Sequence, residues 1–125
     1  MATIRRFEEI QAWQKARELV GEIYRISGSE NFQRDYGLRN QICRAAVSSM
    51  SNIAEGFARR TSRDFAHFLD VARGSAVEVQ SLLYVAFDVK YISSGQLKTM
   101  YTVADEVIAL VGGLTSYLRG PRGRS

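Results

Sequence analysis

Arg44, Ser48, Asn52 and Glu55 stand at spacings of four, four and three within the run QICRAAVSSMSNIAEG, Gln41–Gly56. On a helix those spacings place a guanidinium, a hydroxyl, a carboxamide and a carboxylate on one stripe. With Gln41 and Arg59 they fill a wedge of roughly 80° at about 100° per residue. Glu78 adds a second carboxylate from a later segment, one turn beyond Gly74 and Ser75. Three chemistries fit this set. Glu55 and Glu78 could relay protons as acid and base. Arg44 among hydroxyls and amides could hold a phosphate or carboxylate. The same groups could instead link helices and fix their register, because buried polar pairs specify an arrangement even when they add little stability. The small neighbours Ala45, Ser49 and Ser51 favour this last reading, since they let another helix come close. Arg44 is expected to reach Ser48, and Glu55 to pair with Arg59 one turn on.

Other reactive groups are sparse. His67 is the single histidine, with Asp64 and Asp70 one turn to either side. Helical carboxylate–histidine metal sites need several inward ligands arranged in pairs. His67 is therefore expected at the second face of its helix or in solvent, with no metal. Ser48, Ser49 and Ser51 have no histidine close in sequence to activate them. The glycines of 120–123 lack the strand and helix that a phosphate loop requires. No catalytic residue and no cofactor is expected.

The stripe needs a scaffold, and the apolar pattern supplies four helices and no sheet. The first runs from about Glu9 to Ser27, with Trp13, Ala16, Leu19, Val20, Ile23 and Tyr24 on one side at helical spacing. Gly28 is expected to end it in a left-handed C-cap. A loop over 29–32 follows, and Asn31 is the expected N-cap of a second helix from about Gln33 to Arg60. Its inward face is Leu38, Ile42, Ala45, Ser49, Ile53, Gly56 and Phe57. Thr61 or Ser62 caps a third helix, about Arg63 to Tyr91, with Asp64 in its first turn. This helix carries two apolar stripes. One is Phe65, Leu69, Ala72, Ala76, Val79, Leu83 and Ala86; the other is Val71, Gly74, Glu78, Leu82, Val85 and Val89. A bundle helix needs one such stripe, so the second points to self-association. Ser93 or Ser94 starts the fourth helix, about Gly95 to Leu118, which contains the pair Gly112–Gly113 at a cost of about 1 kcal/mol per glycine. Close approach by a neighbour would account for the pair. Gly56, Gly74 and Ser75 are the expected sites of close helix packing. Short loops make an antiparallel up-down-up-down four-helix bundle the simplest all-α topology. It forms a single domain over 1–119, followed by a mobile basic tail over 120–125.

Composition agrees. The chain has 125 residues, 46% hydrophobic and 24% charged, with one proline, enough for one core. Cys43 is alone, which excludes an internal disulfide or a cysteine metal site and suits a cytoplasmic setting. The N-terminal run MATIRRFEEI has no apolar signal region, and no apolar run approaches a membrane span. The net charge is +4, and 14 of the 17 basic residues are arginine. Candidates for nucleic acid are Arg5, Arg6, Arg59, Arg60, Arg63, Arg119, Arg122 and Arg124. The turn Arg59–Arg63 concentrates three of them.

Four segments carry a family likeness: F-x-x-I-x-A-W-Q-K-A at 7–16, Y-G-L-x-x-Q-I-x-R-A-A-x-S at 36–48, N-I-A-E-G at 52–56 and G-S-x-x-E at 74–78. Together they resemble the bacterial four-helix-bundle family whose founding members are encoded by intervening sequences within large-subunit ribosomal RNA genes, often mislabelled as a ribosomal protein. The likeness spans about Phe7 to Leu118. The chain departs from it at Gln33, where the family usually has a proline. The resemblance implies a ring-like homopentamer with an interaction function, toward RNA or an RNA-handling enzyme. Related accessory proteins of retroelements bind a reverse transcriptase and nucleic acid. The leading expectation is therefore a non-enzymatic oligomeric bundle that binds RNA or such a partner through arginine-rich surfaces. The alternative is a structural or protein-partner scaffold with no nucleic-acid role.

Overall fold

A computed structural model describes residues 3–120. Arg122, Arg124 and the tail beyond Gly120 lie outside the described residues. A short 3-10 turn, Phe7–Glu9, precedes five α-helices: α1 Gln11–Ser27, α2 Glu30–Arg34, α3 Tyr36–Phe57, α4 Ser62–Asp88 and α5 Ser94–Leu118. The four long helices carry the core, and among the described residues there is no strand. α1 packs against α3 and α5, and α4 also packs against α3 and α5. The α3–α4 side and the α1–α5 side therefore face opposite ways.

The inward stripes close on one another. Trp13, Ala16, Leu19 and Ile23 of α1 are buried with Ile42, Ala46 and Ile53 of α3. Leu69, Ala76, Val79 and Leu83 of α4 meet Met100, Val107 and Val111 of α5 in the same cluster. Each fully buried Leu, Ile or Val contributes about 1.5–3 kcal/mol relative to exposure. Tyr24 departs from expectation: it sits at the edge of its stripe, 47% exposed, with the Arg39 guanidinium 6.0 Å from its ring.

The helix ends explain the remaining differences. α1 begins at Gln11, because the chain through Phe7–Glu9 is a 3-10 turn whose Phe7 ring stands edge-on to Trp13 at 5.1 Å. Gly28 ends α1 in right-handed geometry, φ −86° and ψ −3°. The expected left-handed cap does not form; instead the Gly28 N–H bonds back to Tyr24 O at 3.1 Å. The expected second helix is split. Its first turn is the separate α2, preceded by Ser29, and the long helix starts after Asp35, not Asn31. Asp35 leaves helical geometry (φ −85°, ψ 81°) and its Oδ1 accepts from the Leu38 N–H at 3.1 Å. Its Oδ2 accepts from the Tyr91 hydroxyl at 3.0 Å, fixing the break to the loop after α4. The Gln33 N–H donates to Ser29 O at 2.8 Å, a bond that a proline there could not make.

α4 is capped by Thr61, whose hydroxyl accepts from the Asp64 N–H at 3.1 Å. It ends at Asp88, three residues early, where Lys90 takes φ 68° and turns the chain. α5 opens with a full capping box: Ser93 Oγ accepts from Gln96 N–H, and Gln96 Oε1 accepts from Ser93 N–H.

Candidate interaction surfaces

The polar stripe of α3 lies against α4 along part of its length. Ser48 and Ser75 share a hydroxyl hydrogen bond of 2.8 Å. Asn52 Nδ2 donates to Ser48 O at 2.9 Å and to Ser48 Oγ at 3.0 Å. Gln41 Nε2 donates to Glu78 Oε2 at 3.3 Å. Ser48, Asn52 and Ser75 are half-buried by these contacts. One turn lower, Gly56 lets α4 come so close that a methyl group in its place would lie 2.7 Å from Phe68 Cβ and 2.9 Å from Phe65 Cδ1.

The charged members of the stripe stand apart. Arg44, Glu55 and Glu78 are exposed on the subunit. The expected Arg44–Ser48 and Glu55–Arg59 pairs do not form. Arg59 stacks on the Phe68 ring instead, 4.5 Å from its centroid, because a planar guanidinium packs well on an aromatic face. The two carboxylates are not brought together as an acid–base pair: Glu78 is held by Gln41, and no bond of Glu55 occurs among the described residues. Arg44 lines a groove of about 470 Å³ between α3 and α4, with Asn40, Gln41, Ser48, Ser75 and Glu78. Such a groove can take a polar or anionic group.

Beside this groove the second stripe of α4 faces outward. Val71 is 41% exposed, Val85 44% and Val89 50%, and only Leu82 is covered. Gly74 does not make the expected close contact inside the subunit: a methyl group there would meet no atom within 4 Å. The same holds for Gly112 and Gly113 of α5. Ser75 alone of the Gly74–Ser75 pair touches another helix.

The basic candidates come from distant parts of the sequence to one end of the bundle. That end holds the start of α1, the α3–α4 turn and the end of α5: Ile4, Ile10 and Ala12 line one groove with Leu114 and Tyr117, Phe57 meets Phe65 across the turn, and Arg119 pairs with Asp70 of α4. Arg5, Arg6, Arg59, Arg60, Arg63 and Arg119 are all exposed. Some are engaged. Arg6 pairs with Glu8 at 3.2 Å, and Arg119 forms a two-pronged pair with Asp70 at 2.7 and 3.3 Å. That pair raises the Arg119 pKa, chiefly through the hydrogen bond to Asp70. The guanidinium groups of Arg5, Arg60 and Arg63 have no acidic partner among the described residues.

His67 is exposed, its ring edge-on to Phe68 at 5.8 Å. Cys43 is buried as a free thiol, 3.4 Å from the Ser27 hydroxyl. Gln80 is a polar residue the helical pattern does not single out. It is buried, and its Nε2 donates to Asp105 Oδ1 at 2.8 Å and to Tyr101 O at 3.3 Å, tying α4 to α5. Its signal is a carboxamide between the buried Val79 and Leu83. No helix of the described chain is long and apolar enough to cross a membrane.

No curated protein matches the sequence. A solved structure with a similar fold is a crystal structure of a protein of unknown function from the S23 ribosomal protein family of Bacteroides thetaiotaomicron VPI-5482. It aligns with a TM-score of 0.78 at 23% identity, over 84% of this chain and 95% of that one. The family profile described as 23S rRNA-intervening sequence protein matches residues 8–113. That match covers most of the bundle, including the α3 stripe and its partner residues on α4, and the chain belongs to the 23S rRNA-intervening sequence protein family.

Proposed function

We propose that the chain is a self-assembling bundle with no reaction of its own, which binds RNA or a nucleic-acid-handling partner such as a reverse transcriptase through its arginine-bearing end. The observation that carries this reading is convergence. Arg5 from the N-terminal segment and Arg60 and Arg63 from the α3–α4 turn come to one end, and all three guanidinium groups are without an ion pair among the described residues. Guanidinium groups free of carboxylates are suited to phosphate. Self-assembly is supported by the uncovered Val71, Val85 and Val89 beside a groove lined by Arg44. The contacts at the two ends fit an up-down-up-down order of the four long helices, and the family likeness points to a homopentamer. In such an assembly each arginine recurs five-fold, so modest contacts add as avidity. A buried free thiol suits the cytoplasm, where Cys43 would stay reduced.

A fluorescence anisotropy titration of labelled RNA tests this. Binding at low salt that weakens steeply as salt rises supports it, because each neutralised phosphate releases counterions. Absence of binding at low salt, or binding indifferent to salt, contradicts it.

The second reading is a protein-partner scaffold with no nucleic-acid role. It is favoured by the engagement of Arg6, Arg59 and Arg119 with Glu8, Phe68 and Asp70. Capture of a specific protein that survives nuclease treatment, with no RNA retained, would select it.

A further inference from the structure

Near the arginine-bearing end, α5 separates two unlike grooves. On one side, toward the start of α1, Ile4, Ile10, Leu110, Leu114 and Tyr117 wall an apolar groove of about 500 Å³. On the other side, toward α4, Asp70, Arg73, Thr115, Ser116 and Arg119 line a polar groove of about 590 Å³. Two guanidinium groups against one carboxylate leave the polar groove cationic. Arg73, which the helical pattern did not single out, is exposed and has no ion pair among the described residues. Arg119 uses Nη1 and Nη2 on Asp70, but a guanidinium carries five N–H donors, so some stay open to another acceptor. Gly112 and Gly113 stand between the two grooves: Gly112 lines the polar one and Gly113 the apolar one. A methyl group at either would meet no atom within 4 Å. Packing inside the subunit therefore does not require the pair, and both weaken the helix relative to alanine. Bare backbone is useful where a ligand passes close to it.

We propose that this saddle on α5 carries single-stranded RNA. An unpaired base enters the apolar groove, and the neighbouring phosphate crosses Gly112–Gly113 to Arg73 and Arg119. The proposal rests on the nucleic-acid reading above and adds which form of RNA is taken and where. An unpaired strand offers apolar planes and anions side by side, whereas a duplex keeps its bases stacked inside. Tyr117, 45% exposed at the apolar groove, supplies an aromatic ring of the kind on which bases stack. A purely apolar ligand would leave Arg73 without a role, and a small anion would leave the apolar groove empty. The strand uses both.

The test compares a labelled, unstructured oligouridine of about 12 nucleotides with an RNA duplex of the same length. Fluorescence anisotropy reads binding to the wild-type chain, Gly113→Leu and Arg73→Gln. The duplex has the denser charge, so electrostatics alone would favour it. The wild type is expected to bind the single strand about tenfold more tightly, the order of one base–aromatic stack. Gly113→Leu keeps every charge, replaces glycine by a better helix former and obstructs the apolar groove. It is expected to lose the single-strand preference and to bind the duplex unchanged. Arg73→Gln is expected to weaken single-strand binding and to reduce its salt slope by about one. Circular dichroism verifies folding, and Arg73→Gln decides the question if Gly113→Leu does not fold. A wild type that binds the duplex as tightly as the single strand, a folded Gly113→Leu that keeps the preference, or Arg73→Gln binding like the wild type overturns the saddle and leaves RNA binding by Arg5, Arg60 and Arg63 standing. No binding of either RNA to the wild type at low salt overturns both.

Discussion

Ser48 of α3 and Ser75 of α4 bond hydroxyl to hydroxyl at 2.8 Å, midway along the side of the bundle where Arg44 and Glu78 remain open. The small polar residues of the stripe thus close the subunit, while its charges face outward.

Two glycines on this side should respond oppositely to alanine. At Gly56 a methyl would press on Phe68 Cβ at 2.7 Å, a position anchored to the α4 backbone. Overpacking of this kind typically costs about 1–3 kcal/mol, so Gly56→Ala should lower the denaturation midpoint. At Gly74 the space is open, and Gly74→Ala should leave the isolated subunit as stable or raise it by up to about 1 kcal/mol. Urea unfolding of both variants checks the contrast; equal destabilisation would contradict it.

Asp35 holds the break between α2 and α3. Asp35→Ala removes the acceptor for the Leu38 N–H and should cost about 1 kcal/mol, the usual loss of an N-cap. Asp35→Asn keeps the cap oxygen and should cost less. Urea midpoints read the difference, and equal losses would show that capping is not what Asp35 supplies.

Tyr91 should be pH-sensitive in one direction. Its hydroxyl donates to Asp35, and that bond, with burial and the carboxylate's charge, raises its pKa above the usual 10.0. The folded state therefore holds the proton more tightly than the unfolded chain. This contribution is fully present below about pH 10 and is lost as pH rises through the folded pKa. Tyr91→Phe should flatten that part of the alkaline stability profile. An unchanged profile would contradict the linkage.

For nucleic acid, Arg60→Glu with Arg63→Glu should abolish most low-salt RNA binding and shrink the salt slope. Asp70→Asn frees Arg119 from its pair and should strengthen binding. Anisotropy across a salt series reads both, and a charge-reversed pair that binds as tightly as the wild type would remove this end from consideration.

The helices were legible because their faces repeat at 3.6 residues: Ile42, Ala45, Ser49 and Ile53 are buried as the spacing requires, and Thr61 and Ser93 cap as their side chains allow. The second stripe of α4 was legible too, since Val71, Val85 and Val89 have no place inside one subunit. The break at Asp35 was not, because a hydroxyl 56 residues away helps to set it. Nor was the choice made by Arg59, where a ring on another helix outcompetes a carboxylate one turn back. Gln80 escaped because periodicity ranks a carboxamide as surface and does not see its acceptors on α5. Spacing reports which side chains share a face; it does not report which neighbour each one takes.

The central claim is that the α3–α4 face with its open charges is covered by another subunit. Light scattering of the wild-type chain during gel filtration tests it most directly. The account predicts a particle of several subunits, five in the family likeness, that falls to 14.0 kDa when Gly74→Leu blocks the face. A wild-type particle of 14.0 kDa at 100 µM would contradict it.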